Sequence, residues 1–375
     1  MALDRIKLKL AEDSPLGRAG QMIELPVGRQ SSIVLVNGER INLALQPQDV
    51  HDPTEMPTYL AGYMPFEFRA DEASPPVLVD NDQDKARNFS SDDTFRRVDV
   101  KASLTGAIPE VDPSSSLIEY KVVDRLIGSF IPRATEMQTG NNYRPRQTAA
   151  KKCKRLIQLD RECDVWSMLT LSTNWTPANV IALTDGYQWG NLTGSGYGNN
   201  SDPVFDIQTM YSKSAQPINA YWLNYNTACA MLRHPNVRNS MRSMLGDGAA
   251  DQAIQRIAGA NYASTTIDYQ IPGLGTFKVA AAKVKNEVTG ALDYIVADGA
   301  VVGVTTPPGV PQDGEEMATT YSFRRRGPSG VGFETREFFV DARGSLGGTM
   351  VVASMADIAV LTGSNCGGLI TGALR

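Results

Sequence analysis

The chain has 375 residues, 42% hydrophobic and 21% charged, a globular composition that excludes intrinsic disorder. At about 150 residues per domain, this length suits two or three structural units. Only two histidines occur, His51 and His234, so a Ser-His-Asp triad, a Cys-His dyad or a zinc site would each have to use one of them. A formal net charge of −5, without a basic tail at either terminus, argues against a protein that grips nucleic acid by its phosphates, although a local patch stays open.

Residues 1–92 do not pattern as a compact domain. Ile6, Leu8 and Leu10 alternate with Lys7 and Lys9, which predicts a short extended piece. Asn37-Gly38 predicts a hairpin with strands at 33–36 and 41–45. Pro47, Pro53, Pro57, Pro65, Pro75 and Pro76 follow among scattered apolar residues. Such a segment is expected to lie as an arm on another surface, and the rest of the chain to fold without it.

Residues 95–132 read as extended, interrupted by a turn or loop at 106–116 that carries two prolines and three serines. The clearest helix covers 147–171. Ala149, Cys153, Leu156, Leu159, Cys163, Trp166 and Leu169 step by three or four and predict one apolar face, with Lys151, Lys152, Lys154, Arg155, Asp160 and Arg161 mainly off it. At 1.5 Å per residue this is a spine of about 37 Å. Asp202-Pro203 supplies an N-cap and a first-turn proline for a helix over 203–213. Residues 218–223 favour a strand, and Asn224 or Asn226 is placed to cap a helix that Pro235 ends. A further helix is predicted over 249–257. Short strands then follow at 276–281, 294–297, 301–305, 319–323, 335–340, 350–353 and 358–361.

Chemistry-bearing motifs are scarce. The sequence holds no P-loop, no G-x-S-x-G and no H-E-x-x-H. Gly194-Ser195-Gly196-Tyr197-Gly198 lacks the dinucleotide spacing and reads as a surface loop. Asp80-Asn81-Asp82-Gln83-Asp84 opens like a calcium loop, but Lys85 stands where the sharp turn needs glycine and Ser91 where a bidentate Glu is needed. A solvated acidic stretch is therefore expected. Met1-Ala2-Leu3-Asp4-Arg5 lacks an apolar signal core, so Cys153, Cys163, Cys229 and Cys366 are expected to be reduced, mostly buried thiols of a cytosolic protein. Residues 165–184 carry no charge, yet their many Ser, Thr and Asn side chains argue against a membrane span.

His234, at an expected helix end, is read as capping the last carbonyls or as packing, and His51 as exposed. Glu315-Glu316 falls in a Pro/Gly-rich stretch and reads as a solvated loop. The basic run Arg144, Arg146, Lys151, Lys152, Lys154 and Arg155 suits either a solvated helix face or a charged contact. An acidic partner for it would be the arm of another copy, with Asp80, Asp82, Asp84, Asp92 and Asp93. Arg324-Arg325-Arg326 suits the same use.

The order of these elements resembles the tailed-bacteriophage major capsid proteins of the Hong Kong 97-type fold. The likeness covers roughly 95–375. It is carried by Gly106-Ala107-Ile108-Pro109-Glu110-Val111 with Leu117 to Val123, by Arg161-Glu162 with Trp166 and Leu169, and by Asp202-Pro203-Val204-Phe205-Asp206-Ile207. Leu232-Arg233-His234-Pro235-Asn236-Val237 and Ile271-Pro272-Gly273-Leu274-Gly275 with Phe277 add to it. The resemblance implies an α+β fold with five parts. These are an N-terminal arm (1–92), an extended β-hairpin loop (93–146), a peripheral domain with the spine helix (147–239), a β-rich axial domain (240–345) and a C-terminal return (346–375).

The same resemblance implies a homo-oligomer of hexamers and pentamers that tiles an icosahedral shell around double-stranded DNA, without sequence-specific binding. Portal, scaffold or decoration proteins would be its other partners. The chain would reside in the virion capsid after assembly in the host cytoplasm, with no membrane partner. It implies no enzyme, no cofactor and no catalytic or metal-binding residue. An encapsulin-like nanocompartment shell, a tail-tube or decoration protein, and a hydrolase built on an unrecognised carboxylate pair are the alternatives.

Overall fold

A computed structural model describes residues 5–9, 22–26, 33–36, 39–42, 68–89, 116–138, 144–190, 196–246, 248, 251–255, 268–271, 273–307, 316–327, 332–340 and 347–375. In chain order, four short strands come first: β1 (Arg5–Lys9), β2 (Met22–Pro26), β3 (Ile33–Val36) and β4 (Glu39–Asn42). Then follow α1 (Ala70–Ala73), β5 (Pro76–Val79), β6 (Gln83–Arg87), β7 (Leu117–Lys121), β8 (Val123–Pro132), α2 (Arg133–Gln138) and the long α3 (Pro145–Thr170). The middle of the chain holds β9 (Val180–Ala182), α4 (Pro203–Lys213), β10 (Ala220–Leu223), α5 (Tyr225–Arg233) and α6 (Pro235–Leu245). The last third is all strand in its named elements: β11 (Asp268–Ile271), β12 (Gly275–Val279), β13 (Lys283–Lys285), β14 (Leu292–Tyr294) and β15 (Val301–Val304), then β16 (Thr320–Arg325), β17 (Phe333–Val340), β18 (Gly348–Leu361) and β19 (Gly367–Thr371).

Two units share these elements. Residues 1–62, 127–153 and 334–353 form the smaller, and 63–126, 154–333 and 354–375 the larger. In the smaller unit β1 pairs with β2 and β3 with β4, both antiparallel. Val36 stands opposite Glu39, so the hairpin expected around Asn37-Gly38 is present, with its second strand beginning two residues earlier than predicted.

The larger unit is organised by a six-stranded mixed sheet in the order β11-β12-β10-β15-β19-β9. Both of its faces are covered. Along β10, Tyr221 and Leu223 enter one core with α4, α5 and α6, while Ala220 and Trp222 enter another with Val165, Trp166 and Leu169 of α3. Burial on both faces explains why Ala220–Leu223 and Val301–Val304 are continuous apolar runs rather than alternating ones. Gly303 lets the α4 side approach: a Cβ there would lie 2.9 Å from Ile218 Cδ1 and 3.2 Å from Met210 Cε. Gly367, at φ +148°, has the Gly303 carbonyl oxygen where a side chain would begin.

A third core lies where β16 pairs parallel with β5 and antiparallel with residues 357–361 of β18. The strands predicted at 350–353 and 358–361 are thus parts of one 14-residue strand. The segment expected as an arm contributes here. Residues 68–89 hold α1, β5 and β6, and Val77, Ala86 and Phe89 are buried in this core.

Helix α3 is close to its expected bounds, with a proline at its first position. Its buried stripe is rotated from the predicted one. Ile157 is buried and Leu156 is exposed, while Lys154, Arg161 and Glu162 lie inside with Val165, Trp166 and Leu169. A 3.6-residue stripe can be drawn through either set, and charged side chains were assigned outward because their internal partners lie far along the chain.

Helix α5 ends at Arg233, just ahead of Pro235 as expected, and a second helix, α6, begins at Pro235 itself. His234 is both the last residue of the α5 cap and the N-cap of α6, where Pro235 takes the first helical position. Asn224 caps α5 and Asp202 caps α4, each accepting backbone N–H bonds as expected. Of the cysteines, Cys153, Cys229 and Cys366 are buried, Cys163 is half-buried, and all four are free thiols. Among the described residues no helix is long and apolar enough to cross a membrane.

Candidate functional site

In the larger unit the chain leaves at Phe89 and is back at Ser116, and these points are adjacent. β6 and β7 run antiparallel from Gln83 opposite Lys121 to Arg87 opposite Leu117, and the Asn88 N–H donates to the Ser116 carbonyl at 2.8 Å. The root is firmly built. Tyr120 stacks on Phe323 with ring centroids 4.2 Å apart, Phe89 is buried, and its N–H donates to the Thr362 carbonyl at 2.7 Å. The motif at Gly106 to Val111 lies outside the described residues.

Next to this root a charged network surrounds the middle of α3. Arg161 and Arg125 both donate to the buried carboxylate of Asp357, Arg125 also to Asp160 (2.9 Å) and Asp164. Arg161 reaches Asp71 at 2.6 Å and donates to Ser322 Oγ at 3.0 Å, and Arg324 donates to Asp71 at 2.9 Å. Cations and carboxylates thus alternate from α1 through α3 to β16, β18 and β8. Fixed pairs of this kind are costly to break because each leaves an unpaired buried charge.

Glu162 holds the second half of the same frame. It is 1% exposed and accepts from the Arg69 N–H (3.0 Å), the Ala70 N–H (2.9 Å) and Trp166 Nε1 (2.7 Å). Burial pushes its carboxyl above the usual range, against the pull of these three donors. Arg69 in turn donates to Glu72 and Asp268, and its guanidinium lies 4.9 Å from the Trp222 ring. Arg161 was expected off the apolar face, and Glu162 entered only with Arg161 in the segment that carries the family resemblance; both are buried. The usable signal was their spacing, since Glu162 precedes Trp166 by four residues on the buried stripe.

The arginine run has carboxylate partners within its own chain. Arg325 binds Asp82 (3.0 Å) and Asp124 (2.6 Å), Arg326 lies 3.5 Å from Asp80, and Arg324 takes Asp71. Asp80 and Asp82 are near β16 because β5, which they follow, pairs with it in parallel. In the smaller unit Arg146 binds Glu136 at 2.7 Å and approaches Glu337 at 3.5 Å. Lys154 is buried over the Phe333 ring at 5.1 Å, so it is not part of a solvated helix face. Asp92, Asp93, His51 and Glu315 lie outside the described residues.

His234 is at the helix end where it was expected, as the C-cap of α5, but its side chain caps the start of α6 instead of the last carbonyls of α5. Its Nδ1 accepts the Asn236 N–H at 3.3 Å, and its ring meets Tyr197 edge-on at 5.0 Å. Burial pushes the imidazole below its ordinary range, with Asp202 pulling the other way. Gly198, next in the chain, packs against the Gly186 carbonyl, which is a tight loop and not a phosphate cradle. Among the described residues no cluster of three His, Cys, Asp or Glu side chains could hold a metal ion.

A strand-rich unit and a spine helix locked by buried charge pairs define the class: the chain has the Hong Kong 97-type fold. It is similar to a phage-related protein from Bordetella bronchiseptica RB50, with 17% identity, a TM-score of 0.60, and coverage of 87% of this chain and 98% of that one. More distant likenesses are the capsid of a native GTA particle (11% identity, TM-score 0.45, 83% and 91% covered) and the mature capsid of bacteriophage PhiM1 (9%, 0.43, 82% and 86%). No protein-family model matches the sequence, and no curated protein matches it.

Proposed function

We propose that this chain is the major capsid protein of a tailed phage. Its copies associate as hexamers and pentamers that tile an icosahedral shell around double-stranded DNA. The observation that carries this reading is a shared fold that runs over 87% of this chain and 98% of a phage-related protein.

In this reading the excursion rooted at β6 and β7 is the extended loop, laid across an adjacent subunit. The network around Asp357 and Glu162 supports the reading as the rigid frame that such a loop needs, because a lone hairpin is marginal in water. The part of the N-terminal segment ahead of residue 68 packs on neighbours, and the β-rich segment after residue 240 surrounds the capsomer axis. The net charge of −5 suits a container that holds DNA by enclosure, without sequence-specific contacts. Portal, scaffold or decoration proteins complete the particle, which assembles in the host cytoplasm. The chain acts through its surfaces and carries out no reaction.

Electron microscopy of the purified protein tests this directly. Closed shells of uniform size are expected. A protein that stays monomeric at every concentration and ionic strength overturns the reading. Shells that enclose a protein cargo instead of DNA turn it into a nanocompartment.

A further inference from the structure

In the smaller unit one arginine stands between two carboxylates. The Arg146 guanidinium meets Glu136 of α2 side-on, with Nε donating to Oε1 at 2.7 Å and Nη2 to Oε2 at 3.1 Å. Glu337 of β17 receives only Nη1, on its Oε2, at 3.5 Å. Its other oxygen, Oε1, is buried and accepts no hydrogen bond among the described residues. Glu337 is 7% exposed, so this oxygen is shut off from bulk water.

The three groups join three elements. Arg146, in the first turn of α3, ties α3 to α2 through Glu136 and reaches β17 through Glu337. The start of α2 is stitched to the chain entering β18, where the Arg133 N–H donates to the Gly347 carbonyl at 3.1 Å. The remaining charged and polar neighbours act on Glu136. Thr349 of β18 donates to it, and Arg133 adds its positive field. On β17 itself Glu334 and Arg336 pair with each other at 3.0 Å on the opposite face of the strand. Among the described residues Glu337 therefore has one shared cation and one competing carboxylate.

Two carboxylates on one arginine do not ionise with equal ease. Glu136 has the better seat, and the hydrogen bonds from Arg146 hold it below the usual carboxylate range. Burial pushes Glu337 above that range, opposed by Arg146 and reinforced by Glu136. A protonated Glu337 fits the site as a neutral group. An ionised one places a bare oxygen charge in the interior, next to the charge on Glu136.

We propose that Glu136, Arg146 and Glu337 form a proton-operated latch, which holds α2 and the start of α3 against β17 while Glu337 is protonated and eases when that proton leaves. A carboxyl that binds its proton more tightly in the folded chain contributes stability in mild acid and loses it as pH rises through the folded value. The latch is thus tight in mild acid and loose in alkali. It is a property of the smaller unit alone and holds for any function of the chain.

Hydrogen exchange of the unassembled full chain, followed peptide by peptide from about pH 5 to about pH 8, tests it. Glu337→Gln keeps the shape of the side chain and removes the titration. The exchange of peptides from 133–152 in the wild type, divided by that in Glu337→Gln, is expected near one in mild acid and to climb about threefold or more by the alkaline end. Peptides from 225–245, in the larger unit, should keep a flat ratio. The wild type alone gives a second reading, because exchange over 133–152 divided by that over 225–245 at each pH should climb in the same way. In Glu136→Gln the guanidinium is released to serve Glu337, and the climb should disappear. A ratio for 133–152 that is flat or falls with pH, a climb shared equally by 225–245, or a climb of full size in Glu136→Gln would each overturn the latch.

Discussion

Replacing Glu162 probes the frame most sharply, because one carboxylate serves three buried donors from two parts of the chain. In Glu162→Ala the Arg69 N–H, the Ala70 N–H and Trp166 Nε1 all lose their acceptor. A buried donor left without a partner costs about 1–3 kcal/mol, and removing the buried charge returns part of that sum. The net loss is expected at about 3–5 kcal/mol, or about 6–15 °C in the midpoint of thermal unfolding for a unit of this size. Thermal unfolding of the unassembled protein followed by circular dichroism measures it.

The pH dependence adds a second readout. The folded state raises the Glu162 carboxyl above its ordinary 4.5, chiefly by burial, so it binds that proton more tightly than the unfolded chain. The corresponding stability is present below the unfolded value and is lost as pH rises through the folded one. Glu162→Gln has no such titration. The stability of the wild type relative to Glu162→Gln should therefore decline as pH rises from about 4.5. A Glu162→Ala loss under about 1 kcal/mol, or a relative stability that grows with pH, would refute the reasoning.

Three other outcomes are expected. Gly367→Ala forces a Cβ onto the Gly303 carbonyl at φ +148°, and a loss of about 3–4 kcal/mol should appear as poor soluble yield and a lowered unfolding midpoint. His234 holds its neutral form more firmly in the folded state than its ordinary 6.5, so stability is lost as pH falls below that value through the folded one. His234→Asn keeps an N-cap acceptor and should flatten this acid limb in a urea titration, whereas His234→Ala should lose about 1 kcal/mol at neutral pH. Deletion of residues 1–62 should leave the larger unit folded but unable to form shells, judged by circular dichroism and microscopy. Deletion of 1–92 should fail earlier, as insoluble protein, because it strips β5 from β16 and the amide partners from Glu162.

That last contrast shows where the sequence could be read and where it could not. Local signals were dependable. Asp202-Pro203, Asn224, Asn37-Gly38 and the apolar steps of α3 each act within a few residues, and each has its element. The order of those elements was enough for the Hong Kong 97-type fold to be recognised. Long-range partners were out of reach. Pro75 and Pro76 looked like an arm because a prolyl segment has no local partner, yet Pro76–Val79 pairs with a strand some 240 residues away. Lys154 and Arg161 looked like a wet helix face because nearby residues offered them nothing.

By itself, then, the amino-acid order determined the elements, their caps and the absence of any familiar catalytic motif, since these depend on neighbours three or four residues apart. Only the tertiary structure decided which charges are buried, that Arg324, Arg325 and Arg326 have carboxylate partners within their own chain, and that residues 68–89 belong to the folded body. The physical reason is the same in each case. A charge is assigned to water or to the interior by the partner it meets, and Asp357 meets Arg125 and Arg161 only after the chain has folded.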